Sequence, residues 1–380
     1  LRPKWSSFLL PGNRCNNGNF DGSWTERAFI GLMETSDPAS NIWEDKGFVV
    51  CSASDKGKTD YGRSSINDWE GYFKINAIDP TYIITENGEH WLIYGSWHSG
   101  IAALQVNPED GKPLNALGNP WDITGEDNSG YGKIIATRGT SRWQASEGPE
   151  VIYRDGYYYL FLAYGSLSVE YNTRVCRSKN IDGPYVDIHG NSAMGSAQLY
   201  PILTAPYRFD NSYGWVGISH CGIFDDGAGN WFYTSQGRFP VNVGGNEYSN
   251  AIMMGHLHSI RWTKNGWPLV MPERYGAVPQ APITENEIAG DWEHLALTTS
   301  TGTQRTSETM TYDLGTHKIT SGSWKNATWT FDAATQTITT SAGVVLYLQR
   351  EVDWEASPRT HTIVYTAQGN QKTYWGKKLQ

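Results

Sequence analysis

Three stretches of the chain share one plan, and that repetition limits the fold more than any other feature. Each opens on an ionisable residue, enters a short apolar run, turns at a glycine and returns as an aromatic-led run. Asp79-Pro80 leads into Thr81–Thr85, a turn at Asn87-Gly88 and then His90–Tyr94. Glu147 leads into Glu150–Tyr153, a turn at Asp155-Gly156 and then Tyr157–Tyr164. His220 leads into Cys221–Phe224, a turn at Asp226-Gly227 and then Asn230–Thr234. In each copy the opening residue and the returning aromatic (Trp91, Tyr157 or Trp231) are ten to twelve residues apart. Apolar runs joined by Asn-Gly or Asp-Gly turns read as β-hairpins, and hairpins at a regular spacing mark a repeat architecture.

Each repeat also has a second half. Gly100–Asn107 precedes Pro108-Glu109-Asp110-Gly111, Thr173–Ser178 precedes Asn180–Tyr185, and Ala251–Trp262 precedes Asn265–Pro268. A fourth, partial copy stands near the start, with Ala28–Glu34, Asp37–Trp43 and Lys46-Gly47 read as outer strands only. Nothing in Leu1–Gly47 reads as an inner strand with a leading carboxylate. Four-stranded blades around a central channel account for this spacing. In such a propeller the innermost strand of each blade starts at the channel rim, so Asp79, Glu147 and His220 are expected to converge.

The composition shifts around Val278–Ile288, where Pro279 and Pro282 interrupt a stretch without periodicity, the mark of a linker. The expected division is therefore a propeller over 1–277, a linker over 278–287 and a second domain over 288–380. The second domain is Thr- and Ser-rich, with about seven short alternating strands including 308–313, 328–332, 337–340, 344–350 and 360–366. It reads as a small antiparallel barrel or sandwich. Trp292, Trp324, Trp329, Trp354 and Trp375 suit its core better than a binding platform.

A net charge of −9 argues against nucleic acid or an anionic membrane as partner. No apolar run approaches the roughly 20 residues of a membrane span. Seventeen Trp and 22 Tyr exceed what a core needs; rings stacked on sugars and rings filling wide sheets are both uses for the surplus. Cys15, Cys51, Cys176 and Cys221 lack metal-type spacing and read as buried free thiols. The chain begins at Leu1 without a signal-peptide pattern, which reads as a processed or truncated product.

Two carboxylates facing one another across a channel suit glycosidic hydrolysis, in which one must stay protonated to serve the leaving oxygen. Glu147 is the candidate acid, and Asp79 the group that tunes its pKa and holds the sugar. Taken alone, each has a plain structural reading, as a turn cap before Pro80 and a solvated strand end. Their matching places in the repeat favour the chemical one. His220 is either a hydrogen-bonded structural residue or a group that ligates a cation or orients the acid. The turns at Asp225-Asp226-Gly227 and Glu126-Asp127-Asn128 read as solvated, and no EF-hand or zinc spacing occurs.

These residues resemble glycoside hydrolase family 43, in particular its two-domain arabinanases. The matching motifs are Asn76–Pro80, Trp91–Trp97, Ser146–Pro149 with Tyr157–Phe161, Arg177-Ser178 with Gly183–Tyr185, and Gly217–Cys221. Ile288–Glu293 and Tyr374–Lys378 resemble the opening and close of that family's ancillary β-barrel. The resemblance implies a five-bladed β-propeller and inverting hydrolysis of α-1,5-linked arabinofuranosyl bonds in arabinan. It makes Glu147 the general acid and Asp79 the pKa modulator, with Ser96 and Trp97 lining the sugar subsite. His220 would reach a calcium or sodium ion in the channel. An arabinan-degrading enzyme implies an extracellular or periplasmic location.

The chain departs from the family in one respect. The general base belongs to a His-Asp-Pro-type motif in the first blade, and no such motif precedes Asp79. The first blade is therefore expected to be incomplete here, or supplied by a separate or preceding N-terminal segment. Other family specificities (β-xylosidase, arabinofuranosidase, galactanase) and a non-catalytic sugar-binding propeller are the alternative readings.

Overall fold

The computed structural model describes residues 4–9, 28–52, 75–96, 100–115, 117, 131–138, 146–195, 198–209, 212–298 and 304–379. The chain divides into two compact units, Leu1–Ala163 with Cys176–Leu199, and Tyr164–Val175 with Tyr200–Gln380.

In the first unit, strands β1 (Lys4–Leu9), β2 (Ala28–Glu34) and β3 (Glu44–Cys51) form an antiparallel sheet in chain order. Strands β4 (Thr81–Ile84), β5 (His90–Tyr94), β6 (Ile101–Val106) and β7 (Lys133–Ala136) form a four-stranded one. Strands β8 (Ser146–Arg154), β9 (Tyr157–Tyr164), β10 (Asn172–Ser178) and β11 (Ile202–Thr204) form the next, and β9 and β10 each run from one unit into the other. The apolar run Tyr157–Tyr164 is buried along nearly all its length, as a strand covered on both faces must be.

The first sheet corrects the sequence reading twice. Asp37–Trp43 is not a strand: Asp37 accepts from Ala39 N and caps a 3-10 turn at Pro38–Ser40, and the strand lies at Glu44–Cys51. Lys4–Leu9 supplies a third strand, in register with Ala28–Met33. Ser52 ties this sheet to the segment before β4. Its hydroxyl accepts from Ala28 N and Ala77 N and donates to Asn76 Oδ1. Ile30, Leu32, Val50, Ile75, Leu92 and Tyr94 form the core beneath it.

In the second unit, β12 (Tyr207–Arg208) precedes a four-stranded sheet of β13 (Gly222–Asp225), β14 (Trp231–Arg238), β15 (Met253–Trp262) and β16 (Pro268–Val270). Four-stranded antiparallel sheets with strands in chain order are propeller blades, and the fold class is the all-β one expected. A single helical turn, α1 (Glu285–Ile288), then leads into a barrel-like sheet of eight strands. The remaining strands are β17 (Gly290–Leu297), β18 (Arg305–Thr306), β19 (Glu308–Asp313), β20 (Lys318–Ile319), β21 (Trp329–Asp332), β22 (Thr337–Thr340), β23 (Val345–Asp353), β24 (Thr360–Gly369) and β25 (Lys372–Lys378).

The sheet order is β20-β19-β17-β25-β24-β23-β22-β21, and β18 instead pairs in parallel with β12. The two edges meet, because Ile319 N donates to Ala327 O and Trp329 N to His317 O. Trp292, Trp329 and Trp375 are fully buried, and Trp324 packs against the core, so these rings are core and not a platform. The Pro-rich segment is no free tether. Gln280 donates to Arg350 O, Arg350 donates to Ala281 O and Pro282 O, and Gly276 N donates to Glu351, laying it along β23.

Candidate active site

Glu147 is the second residue of β8 and half-buried; Asp79 sits, also half-buried, in the turn that feeds β4. Three side-chain bridges tie β8 to the β4–β5 hairpin and its flanks. Ser96, fully buried just beyond β5, donates to Glu147 Oε2 at 2.9 Å. Thr81 donates to Glu150 Oε2 at 3.1 Å. At the far ends Tyr153 donates to Glu86. Thr81 lies two residues past Asp79 and Glu150 three past Glu147, so the strand starts that carry the two acids lie together.

Ser96 is placed by backbone. Gly95 N donates to Ile78 O at 3.1 Å, setting Ser96 against the residue before Asp79. Gly95 has φ 124°, and a Cβ there would lie 2.5 Å from Gly100 O, so only glycine makes this approach. The sequence motif marked Ser96 as sugar-lining; its bond to Glu147 spans 51 residues and has no local signal. Trp97 lies outside the described residues.

The three repeat openings differ in detail. A left-handed backbone occurs at Asp79 (φ 54°), Gly148 (φ 56°) and His220 (φ 60°). In the second copy glycine takes the strained position, and the carboxylate is borne one residue earlier, by Glu147.

His220 belongs to the second unit. Its ring is exposed and Nδ1 lies 3.3 Å from the Tyr171 hydroxyl. Beneath it Thr173 joins Ser219 and Tyr233 at 2.8 Å each, and Thr204 donates to Ile218 O, a buried hydroxyl network that fixes the turn. Burial pushes the Tyr233 hydroxyl's pKa up, so the network stays neutral. Cys176 and Cys221 are buried free thiols, as expected; Cys15 and the Cys51 side chain lie outside the described residues.

Calcium takes six to eight oxygen ligands. Among the described residues, His220 belongs to no group of three His, Cys, Asp or Glu side chains. The group that does occur, Glu273, Asp353 and Glu355, surrounds the Lys377 ammonium, which takes the place of a cation. The described residues therefore do not by themselves build a cation shell at His220. Among the described residues, no helix is long and apolar enough to cross a membrane.

Residues 32–268 match the model of glycosyl hydrolases family 43, and residues 272–376 match that of a C-terminal lipocalin-like domain. The chain belongs to glycoside hydrolase family 43. It is 31% identical over 240 residues to the extracellular endo-alpha-(1->5)-L-arabinanase 2 of Bacillus subtilis, covering 57% of this chain and 46% of that protein. It is 31% identical over 239 residues to the extracellular endo-alpha-(1->5)-L-arabinanase of Thermotoga petrophila, covering 58% and 46%. The chain thus spans about half the length of the curated relatives it matches. The crystal structure of endo-1,5-alpha-L-arabinanase from Thermotoga petrophila RKU-1 aligns with TM-score 0.74 at 24% identity, over 93% of this chain and 78% of that one. At that identity the likeness speaks for the fold alone.

Proposed function

We propose that this chain serves an inverting hydrolysis of α-1,5-linked arabinofuranosyl bonds in arabinan. The observation that carries the reading is the hydrogen bond from buried Ser96 to Glu147, with Thr81 joined to Glu150 across the strands that follow Asp79 and Glu147, in a family 43 chain with relatives named as endo-arabinanases. Glu147 is the general acid that protonates the leaving oxygen. Ser96 holds its carboxyl in place, and Asp79, in the turn that feeds β4, is the second carboxylate, in the role of modulator and sugar ligand. An inverting reaction also requires a base to activate water, and that role is assigned to no residue of this chain. The relatives' extracellular names support action outside the cell.

The test is reducing-sugar release from linear arabinan, debranched arabinan and xylan by the chain and by Glu147→Gln. Release from the arabinans, reduced at least about a hundredfold in the variant, is expected. Release from xylan alone would replace the substrate, and equal turnover by Glu147→Gln would remove the assigned acid. His220 is proposed to contribute one ligand to a calcium or sodium ion. A calcium-dependent rise in melting temperature, absent in His220→Ala, is the expected sign, and equal shifts in both proteins would remove that role.

A further inference from the structure

A cleft of about 610 Å³ opens in the second unit, where the central strands β14 and β15 of the β13–β16 blade face the β21–β22 turn and β23 of the barrel. Trp231 and Trp262 meet edge to face in its wall, with ring centres 5.5 Å apart. Tyr275, 37% exposed, flanks them and packs against Phe232. The strand register pairs Trp231 with Asp225, at the end of β13 opposite His220. The cleft is thus distinct from the repeat-opening end of that blade.

Its chemistry selects a neutral ligand. Among the described residues, Arg261 is the one charged side chain in the lining. Its guanidinium braces the two walls, donating to Leu348 O at 2.6 Å and Thr335 O at 3.3 Å, and it is a single cation among apolar and amide groups. The other polar lining comes from amides such as Asn230 and Gln349, and Gln349 donates to Ser259 at 2.9 Å. These crosslinks hold the walls in place before any ligand arrives, which lowers the ordering cost of binding. Aromatic faces beside amides, with one cation and no carboxylate among the described lining residues, fit a ligand with apolar C–H faces and a rim of hydroxyls.

We infer that this cleft is a second, non-catalytic site for a neutral oligosaccharide segment, with Trp231, Trp262 and Tyr275 as its stacking surfaces. It would hold a polysaccharide chain on the protein between cleavage events. The inference rests on the cleft's own chemistry and not on which polymer is hydrolysed.

The experiment is affinity electrophoresis of the full chain, carrying Glu147→Gln to suppress cutting, in gels containing linear arabinan, xylan, galactan or no polymer. Retardation by at least one polymer is expected, with the dissociation constant weakened at least roughly fivefold by Trp231→Ala. Tyr275→Ala serves as a second variant at a ring exposed enough to be removed without unfolding, checked by its melting temperature. A weakening in either folded variant supports the site. No retardation by any polymer, or retardation unchanged in the folded variants, overturns it. Loss confined to xylan or galactan would support the site with that polymer as its ligand, and the hydrolysis assay alone would decide the arabinan reading.

Discussion

Lys377 on β25 and Glu273, just past β16, form an ion pair inside the second unit: Nζ lies 3.1 Å from Oε1, and each side chain is 2% exposed. The same ammonium lies 2.9 Å from Asp353 Oδ1 and 2.7 Å from Glu355 Oε2, and 4.5 Å from the centre of the Phe209 ring. One cation thus links the segment leaving the last blade to two barrel strands and the turn after β23. Removing one partner of a buried pair costs on the order of 3–5 kcal/mol, because the remaining charges lose their compensation. Lys377→Met should lower stability by roughly that amount in denaturant unfolding, with any hydrolase activity affected only through the folded fraction. A change below about 1 kcal/mol would mean the cluster contributes packing alone.

Three carboxylates around one ammonium cannot all remain ionised cheaply. Burial, and then the charge of Glu355, push the Glu273 carboxyl well above its ordinary pKa, while Glu355 is held below the usual range by Glu273 and Lys377 despite its burial. Burial alone would discharge Lys377; the Glu273 and Glu355 charges outweigh it and hold the ammonium protonated well past its ordinary pKa. The raised Glu273 pKa gives stability that is complete below the ordinary glutamate value and is lost as pH rises through the folded value. The depressed Glu355 pKa acts oppositely, its contribution being lost as pH falls below the ordinary value. Glu273→Gln should therefore flatten the decline in stability on the alkaline side and leave the acid limb in place. Unfolding curves at a series of pH values would show it, and an unchanged alkaline slope would contradict the assignment.

Ser96→Ala removes the donor that fixes Glu147 and leaves nearly the same volume. If Glu147 is the acid, losing one neutral-to-carboxyl bond should cost about 1 kcal/mol of positioning, roughly a fivefold loss in kcat with little change in KM. Ser96→Thr, which keeps the hydroxyl, should retain more activity. An effect confined to KM would instead make Ser96 a sugar contact.

The regular parts of the fold were legible because their patterns are local. The run Tyr157–Tyr164 is apolar throughout and bounded by Asp155-Gly156, and it is a strand over that same span. Asp37–Trp43 failed because Ile42-Trp43 mimics a strand end, whereas the Asp37 side chain closes a turn on Ala39 N. Lys4–Leu9 has a turn signal after it, Pro11-Gly12, but no leading carboxylate to mark it as a repeat, and its strand exists through pairing with Ala28–Met33. At the site, repetition brought out Asp79 and Glu147. The Ser96 bond and the Lys377 cluster join residues far apart in sequence, so no spacing could reveal them.

Deleting Gly290–Gln380 would strip more than an appendage. Trp375 donates to Val270 O at 2.8 Å, Thr373 to Ile202 O at 2.5 Å, and Trp375 meets the Tyr207 ring edge to face. Without the barrel, buried Tyr207, Val270 and Leu269 lose cover, and Glu273 loses Lys377. Burial of an aromatic or aliphatic side chain contributes about 1.5–3 kcal/mol, so exposing these three costs roughly 5–9 kcal/mol, comparable with the 5–15 kcal/mol that holds a typical protein folded. The truncated chain is expected to be insoluble or to melt far below the full chain in a thermal scan. Equal melting temperatures would mean the blade folds without these contacts, and the barrel would then be dispensable to the second unit.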